Sequence, residues 1–156
     1  MSEDLTTLER PFPSPDADLG YLFRLAHQRF RALLDSELAD LGLSAQDYGI
    51  LSLFRARPEL STAELARISQ VTRQTMHTSV LSLEAAGLVE RSAKNQRVVL
   101  VRPTDRGRKR LETATRRVRV AEHAALADLG LQDERTVRAW LAKVAAMATS
   151  PKKEQS

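Results

Sequence analysis

The most chemically distinctive residues of the chain form a short polar run after Thr72; they are Arg73, Gln74, Thr75, His77 and Thr78. Arginine can pair with a guanine edge and glutamine with an adenine edge, each through two hydrogen bonds, and a threonine methyl can contact the methyl of thymine. This set is therefore suited to reading the edges of DNA bases. The alternative is a polar helix face that contacts only solvent.

Apolar spacing places this polar run on a helix. Met76, Val80 and Leu83 lie four and three positions apart, which predicts one buried stripe with the polar residues projecting away from it. Thr72 is a suitable N-cap that also belongs to the contact set, and Gly87 is the expected left-handed end. The polar set would then occupy the first two turns, where recognition helices contact bases.

A shorter helix is predicted immediately before it. Ser61 and Glu64 have the spacing of a capping box, so this helix should begin at Ser61, with Leu65 and Ile68 as its apolar positions. Two short helices joined by a tight turn form a helix-turn-helix. In such a motif Ser61 and Thr62 would hold phosphates of the DNA backbone.

Two extended segments follow Gly87. Leu88 and Val89 begin the first, and residues 98–101, rich in β-branched side chains, form the second. This hairpin wing is the only β structure that the sequence indicates. Lys94 and Arg97 lie at or near its tip, where they would enter a minor groove or hold a phosphate. The alternative is that both cations protect an exposed sheet edge.

Several short motifs, taken in order, give the chain a specific resemblance. They are Leu41-Gly42-Leu43-Ser44 before a helix, Thr72-Arg73-Gln74-Thr75 at the start of the recognition helix, LEAAGLVER over 83–91, and Thr104-Asp105-Arg106-Gly107 after the wing. In this order and at this spacing the chain resembles the MarR (multiple-antibiotic-resistance regulator) family of bacterial transcription factors over about 19–148. The family usually carries an aspartate where this chain has Asn95, two residues before the wing arginine.

The resemblance implies a winged helix-turn-helix with an effector pocket beside the DNA-binding lobe. A small aromatic or lipophilic molecule would be the effector. The candidate pocket residues are Phe23, His27, Phe30 and Tyr48, and ordinary core or interface packing is the alternative for each.

The terminal helices exceed what a winged domain needs, which predicts pairing with a second copy. A two-fold dimer would present two recognition helices about 34 Å apart to a pseudo-palindromic DNA site. A three-helix subdomain within a monomer is the alternative. The predicted organisation is a mobile arm over 1–18, dimerisation helices over 19–43 and 105–148, the winged lobe over 44–104 and a disordered tail over 149–156.

Helix boundaries outside the motif are also predicted. Ser44 begins a helix that includes Phe54 and is ended by Pro58. A long helix capped by Thr104 should run toward Asp128 and end at Gly130, with the last helix following.

Composition favours a mainly α fold with a small β wing, because 156 residues suit one folded unit and aromatic residues make up only 4%. There is no cysteine, which excludes disulfides and thiol redox sensing. No apolar run approaches the ~20 residues that span a bilayer, and the acidic N-terminus is unlike a signal peptide, so we expect a cytoplasmic protein without membrane contact. Residues 91–119 carry eleven Lys or Arg against two acids, which favours a polyanionic partner over a merely solvated face.

Catalytic and metal patterns are absent from the sequence. The three histidines, His27, His77 and His123, lie on separate segments, and no phosphate loop or nucleophile elbow occurs, so we expect no enzyme, metal or cofactor. The leading hypothesis is a homodimeric, sequence-specific DNA-binding regulator, a repressor released by a small ligand. The alternatives are a sequence-independent architectural DNA coat, a protein-binding winged helix and, last, an enzyme.

Overall fold

The structure, a computed structural model, describes residues 13–95 and 98–147, and it is mainly α-helical with one small antiparallel sheet. Predictions about residues 1–12, 96–97 and 148–156 lie outside this part of the chain. The helices are α1 (Leu19–Leu38), α2 (Ala45–Leu53), α3 (Thr62–Ile68), α4 (Arg73–Ala85), α5 (Asp105–Ala125) and α6 (Leu131–Met147). The strands are β1 (Leu60–Ser61), β2 (Val89–Asn95) and β3 (Val98–Pro103).

Side-chain caps fix the starts of the motif helices where the sequence predicts them. The Ser61 hydroxyl accepts from the Glu64 main-chain N–H at 3.2 Å, and the Glu64 carboxylate accepts from the Ser61 N–H at 2.9 Å. Thr72 accepts from the Thr75 N–H at 3.1 Å, and Ser44 begins α2 with a second complete capping box. Each such cap stabilises its helix by about 0.5–2 kcal/mol.

Helix ends agree less well with the sequence predictions. Gly87 is left-handed as expected, with φ of 69°. Gly130 is not: α5 ends at Ala125, and the Gly130 carbonyl instead accepts from the Glu134 N–H at 2.9 Å as α6 begins. The predicted end of α5 was wrong because the helix already ends in a turn at Leu126, before it reaches the glycine. Likewise α2 stops before Phe54, ahead of the predicted proline.

The sheet has a third strand that the sequence prediction missed. β3 is central: Val101 lies opposite Leu60 of β1 on one side and opposite Arg91 of β2 on the other. The prediction of the wing as the only β structure was therefore wrong. Two residues are too few to show an alternating pattern, and β1 exists only through its pairing with β3.

Buried side chains from most elements form one core in the first of two compact units, residues 1–118. Leu38 of α1 and Leu111, Ala114 and Val118 of α5 are part of this core, so the ends of the predicted dimerisation helices also complete the winged lobe. Burying one such leucine contributes roughly 1.5–3 kcal/mol. The other members are Leu43, Ile50, Leu51, Phe54, Leu60, Leu65, Ala66, Met76, Val80, Leu83, Leu88, Val89 and Val101.

The threonine–glycine motif after the wing closes the lobe. The Thr104 hydroxyl donates to the Gly87 carbonyl at 2.7 Å and accepts from the Gly107 N–H at 3.0 Å. A Cβ on Gly107 would lie 1.9 Å from the Leu88 carbonyl oxygen, so only glycine fits there. The motif thus packs the first turn of α5 directly against the start of the wing.

The second unit, residues 119–156, presents its apolar residues differently. No described residue of α6 is buried. The exposed apolar side chains of α6, of the second half of α5 and of the segment between them are Val120, Leu129, Leu131, Trp140, Leu141 and Met147. Across the described residues, every helix is too short or too polar to cross a bilayer.

Candidate nucleic-acid interface and effector pocket

The first two turns of α4 separate buried and exposed residues as the spacing predicts. Met76 and Val80 are buried, whereas the five polar residues predicted to contact bases are all exposed. We use "reading set" for Arg73, Gln74, Thr75, His77 and Thr78. The helix therefore presents a continuous polar surface at its N-terminal end.

Hydroxyl groups of the reading set are partly engaged within the helix. Thr72 and Thr75 share a hydrogen bond of 2.8 Å between their hydroxyls, and the Thr78 hydroxyl donates to the Gln74 carbonyl at 3.1 Å. These bonds fix threonine rotamers and turn the methyl groups to defined positions. The Arg73 guanidinium and the Gln74 carboxamide form no ion pair or side-chain hydrogen bond with another described residue, so they keep their donors for a ligand.

A groove of about 350 Å³ brings the start of α3, the reading set and the wing together. It contains four of the predicted contact residues, two at the start of α3 and two on α4, beside wing residues that were not predicted. Its lining residues are Ser61, Thr62, Ala63, Arg73, His77, Arg91, Val98 and Val99.

Arg91 is the groove residue that the sequence prediction missed. Its Nε lies 2.7 Å from Oε2 of Glu84, which joins the base of the wing to the last turns of α4. The sequence contained both residues in one motif, but only the fold shows that they form a pair. As a partly exposed ion pair it contributes little stability, roughly 0–1 kcal/mol.

Asn95 makes a side-chain hydrogen bond across the tip of the wing. Its Oδ1 accepts from the Val98 N–H at 2.9 Å, beside a register shift in the ladder between Ala93 and Asn95. Lys94 is exposed on β2 next to it. Arg97, the other predicted wing cation, lies outside the described residues.

A second, more apolar pocket of about 430 Å³ lies between α1, α2 and the turn that joins α3 to α4. Of the four predicted effector residues, His27 and Phe30 line it; Phe23 and Tyr48 do not. Tyr48 packs against the core, with the Arg55 guanidinium 6.0 Å from its ring centre. The full lining is His27, Phe30, Arg31, Leu34, Ala45, Gln46, Gly49, Ile50, Leu53, Ile68, Ser69 and Val71. We call it the effector pocket.

Similarity to known proteins agrees with this arrangement. A sequence model described as MarR family matches residues 41–97. The HTH-type transcriptional repressor Rv2887 of Mycobacterium tuberculosis is 36% identical over 131 residues, which cover 83% of this chain and 94% of that protein. The chain belongs to the MarR family. The resemblance inferred from the sequence is thereby confirmed.

Solved structures of transcriptional regulators share the fold. The chain is similar to a crystal structure of Rv2887 in complex with DNA, at 35% identity and a TM-score of 0.69, covering 83% of this chain and 98% of that one. It is also similar to Rv2887 in complex with salicylic acid, at 36% identity, a TM-score of 0.66 and the same coverage. A probable transcriptional regulator from Pseudomonas aeruginosa gives 30% identity and a TM-score of 0.75, over 83% and 98% of the two chains.

In this MarR family chain, part of the basic block after the wing is neutralised by acidic partners. The Arg108 guanidinium lies 2.6 Å from Asp105, and Arg117 forms an ion pair with Asp40. Arg106 and Lys109 instead line an open groove of about 420 Å³ with Arg110 and Thr113. This side of α5 keeps a positive surface, in line with the predicted polyanionic partner.

Three carboxyl groups are held in their ionised form by these contacts. Hydrogen bonding from Arg117 lowers the pKa of Asp40, and hydrogen bonding from Arg108 lowers the pKa of Asp105. The main-chain N–H of Ser61 does the same for the pKa of Glu64 in its capping box. All three serve the folded structure and none lies in the effector pocket.

Metal-binding clusters do not occur in the described part of the chain, where no group of three or more His, Cys, Asp or Glu side chains comes together. His27 lines the effector pocket, His77 lines the groove beside the wing, and His123 lies near the end of α5. The three histidines thus belong to three separate surfaces.

Proposed function

We propose that this MarR family protein is a homodimeric, sequence-specific DNA-binding regulator of transcription, a repressor that a small aromatic acid releases from its operator. The observation that most supports this proposal is the exposed reading set on α4, which lies beside a groove that is also lined by wing residues. In a major groove, Arg73 and Gln74 would read bases, while Ser61 and Thr62 would hold phosphates. The DNA complex of Rv2887 supports this role.

The exposed apolar residues of the second unit support the dimer. Leu131 is 80% and Val120 is 71% exposed within one protomer, which is costly in water unless a second copy covers them. A two-fold axis would set the two α4 helices about one turn of DNA apart, roughly 34 Å. The target is then a pseudo-palindrome.

The chemistry of the effector pocket supports an aromatic acid. Phe30, Ile50 and Leu53 offer an apolar surface for a ring, and His27 and Arg31 offer donors for a carboxylate. Rv2887 has crystal structures with salicylic acid and with p-aminosalicylic acid. We propose the same ligand class here, in a cytoplasmic protein that has no catalytic activity of its own.

A footprint on the DNA flanking its own gene tests the proposal. We expect one protected pseudo-palindrome, bound at least about 1,000-fold more tightly than random DNA at the same salt concentration. Salicylate should weaken this binding. Equal affinity for both DNAs, with a steep salt dependence for each, would instead indicate the architectural coat, because non-specific binding is nearly all electrostatic.

A further inference from the structure

A chain of side-chain hydrogen bonds joins the effector pocket to the recognition helix. Gln46 lines the pocket, and its Nε2 donates to the Ser79 hydroxyl at 2.7 Å. Ser79 donates its own proton to the Thr75 main-chain carbonyl at 3.1 Å. The two bonds are compatible, because one hydroxyl can accept one bond while donating another. The pocket wall is thereby connected to the first turn of α4, inside the reading set.

The pocket also touches the turn on which α4 is mounted. Ile68, Ser69 and Val71 line it, and between them Gln70 has φ of 53°. A residue with a Cβ adopts this left-handed conformation only when its surroundings hold it there. An occupant of the pocket therefore contacts two supports of α4 at once, the strained turn and the Gln46 carboxamide.

A carboxylate in the pocket would draw the Gln46 Nε2 away from the Ser79 hydroxyl. Hydrogen bonds to an ionised acceptor are roughly twice as strong as those to a neutral hydroxyl. Rotation of the Gln46 carboxamide toward such a ligand breaks its bond to Ser79. The α2 helix then no longer holds the N-terminal half of α4 through that contact.

We propose that Gln46 and Ser79 couple occupancy of the effector pocket to the position of α4. This rests on the effector site of the proposed function and adds the route by which that site acts on DNA binding. Ser79 is a positioning residue, since it neither lines the pocket nor belongs to the reading set. Its removal should therefore separate two properties, ligand binding and the response of DNA binding to ligand.

The test is Ser79→Ala in the whole 156-residue chain, with Ser82→Ala as the matched control on an exposed position of the same helix. Salicylate binding is measured by calorimetry, and operator binding by fluorescence anisotropy with and without salicylate. We expect Ser79→Ala to bind salicylate at least as tightly as the unmodified protein, because Gln46 is no longer held by Ser79, while salicylate's effect on operator affinity falls by about fivefold or more. Ser79→Thr retains the hydroxyl and should restore the response, and Ser82→Ala should behave as the unmodified protein.

Amide hydrogen exchange across α4 in the ligand-free protein gives a second readout. Ser79→Ala should speed exchange over residues 76–79 severalfold relative to Ser82→Ala, because the tie to α2 is lost. A full salicylate response in Ser79→Ala, or loss of salicylate binding in that variant, overturns the proposal. If salicylate does not change operator binding by the unmodified protein, the proposed effector class is wrong. In that case, equal exchange rates in the two alanine variants would overturn the proposed coupling through Gln46 and Ser79.

Discussion

The two compact units of the chain place their apolar residues in opposite ways. In the first unit, Ile50, Leu65 and Leu88 are at most 2% exposed, and a helix with a polar reading face covers the core. In the second, α6 buries none of its described residues, and Leu131 is 80% exposed. Both units show helical apolar spacing in the sequence, but only one satisfies it within the chain.

This difference shows that an apolar stripe predicts burial without saying what will cover it. The stripe of α4 is covered by the lobe's own core, which leaves the opposite face free for DNA. The apolar residues of α6 have no such cover within the second unit, which is why we propose a second copy. Stability should therefore depend on the first unit, and assembly on the second.

Gly107→Ala should have the largest effect, because it destabilises the fold of the first unit. The new methyl group would lie 1.9 Å from the Leu88 carbonyl oxygen, so backbone must move. We expect a loss of about 4 kcal/mol or more in the free energy of unfolding, measured by urea denaturation. Gly49→Ala is the control, because nothing lies within 4 Å of its added Cβ. Similar stability of the two variants would show that α5 does not pack on the wing as described.

Substitution of Val120 and Leu131 together by aspartate tests the second unit. Both side chains are largely exposed in the protomer, so its fold should survive while the dimer is weakened, by about 2 kcal/mol or more. Sedimentation equilibrium measures the dimer dissociation constant, and operator affinity should fall with it. Gln132→Ala, also exposed on α6, should change neither. A dimer that persists at unchanged strength would place the interface elsewhere.

Within the first unit, Arg73→Ala and Lys94→Ala should affect DNA binding in different ways. Loss of Arg73 should cost about 1–3 kcal/mol and relax the preference for one base position, whereas loss of Lys94 should weaken all sequences alike and lower the salt slope by about 1. Anisotropy titrations against single-base operator variants at several salt concentrations measure both. If Arg73→Ala leaves base preference intact, α4 is not the reading element.

Acid should loosen the first unit through two of its ion pairs and one capping box. The pKa of Asp40, Glu64 and Asp105 is lowered in the folded protein from ordinary values of 3.8, 4.5 and 3.8. A lowered pKa means stability that is present above the ordinary value and is lost as pH falls through the folded one. Urea unfolding at stepwise lower pH should therefore show a decline beginning near pH 4.5, and Asp40→Asn should make that decline shallower. An unchanged slope would mean that the Arg117 pair exerts no such effect.

Gln70→Gly should have the smallest effect and refines the description of the turn. Glycine removes the left-handed strain but adds freedom to the unfolded chain, and these terms nearly cancel, leaving less than about 1 kcal/mol. Gln70→Val should be clearly destabilising, since a β-branched residue disfavours φ of 53°. Thermal unfolding of the pair measures the contrast. Equal stability of the glycine and valine variants would contradict the strained turn.

The sequence predicted the features that depend on near neighbours along the chain. Capping boxes at Ser44 and Ser61, the cap at Thr72 and the buried stripe of α4 all involve residues within a few positions, so local physics determines them. The family resemblance and the mainly α fold with a wing followed from these same segments. Half of the proposed effector residues, His27 and Phe30, also fell on one pocket wall.

The features that were missed depend on contacts between distant segments. Strand β1 exists through pairing with β3, the Arg91–Glu84 pair through the approach of the wing to α4, and the Gln46–Ser79 hydrogen bond through the approach of α2 to α4. No periodicity within any one segment contains this information. The early end of α5 was missed for a simpler reason, since Gly130 is a plausible helix stop that the chain uses as a helix start.

The two-residue strand β1 has a consequence for target choice. Ser61 pairs with Leu100 in the sheet, and it is also the N-cap of α3. One residue therefore connects the wing hairpin to the helix pair. The distance between the wing and the helix pair is thereby fixed. We expect each half-site to tolerate base changes between the two contacts more readily than an inserted or deleted base pair there.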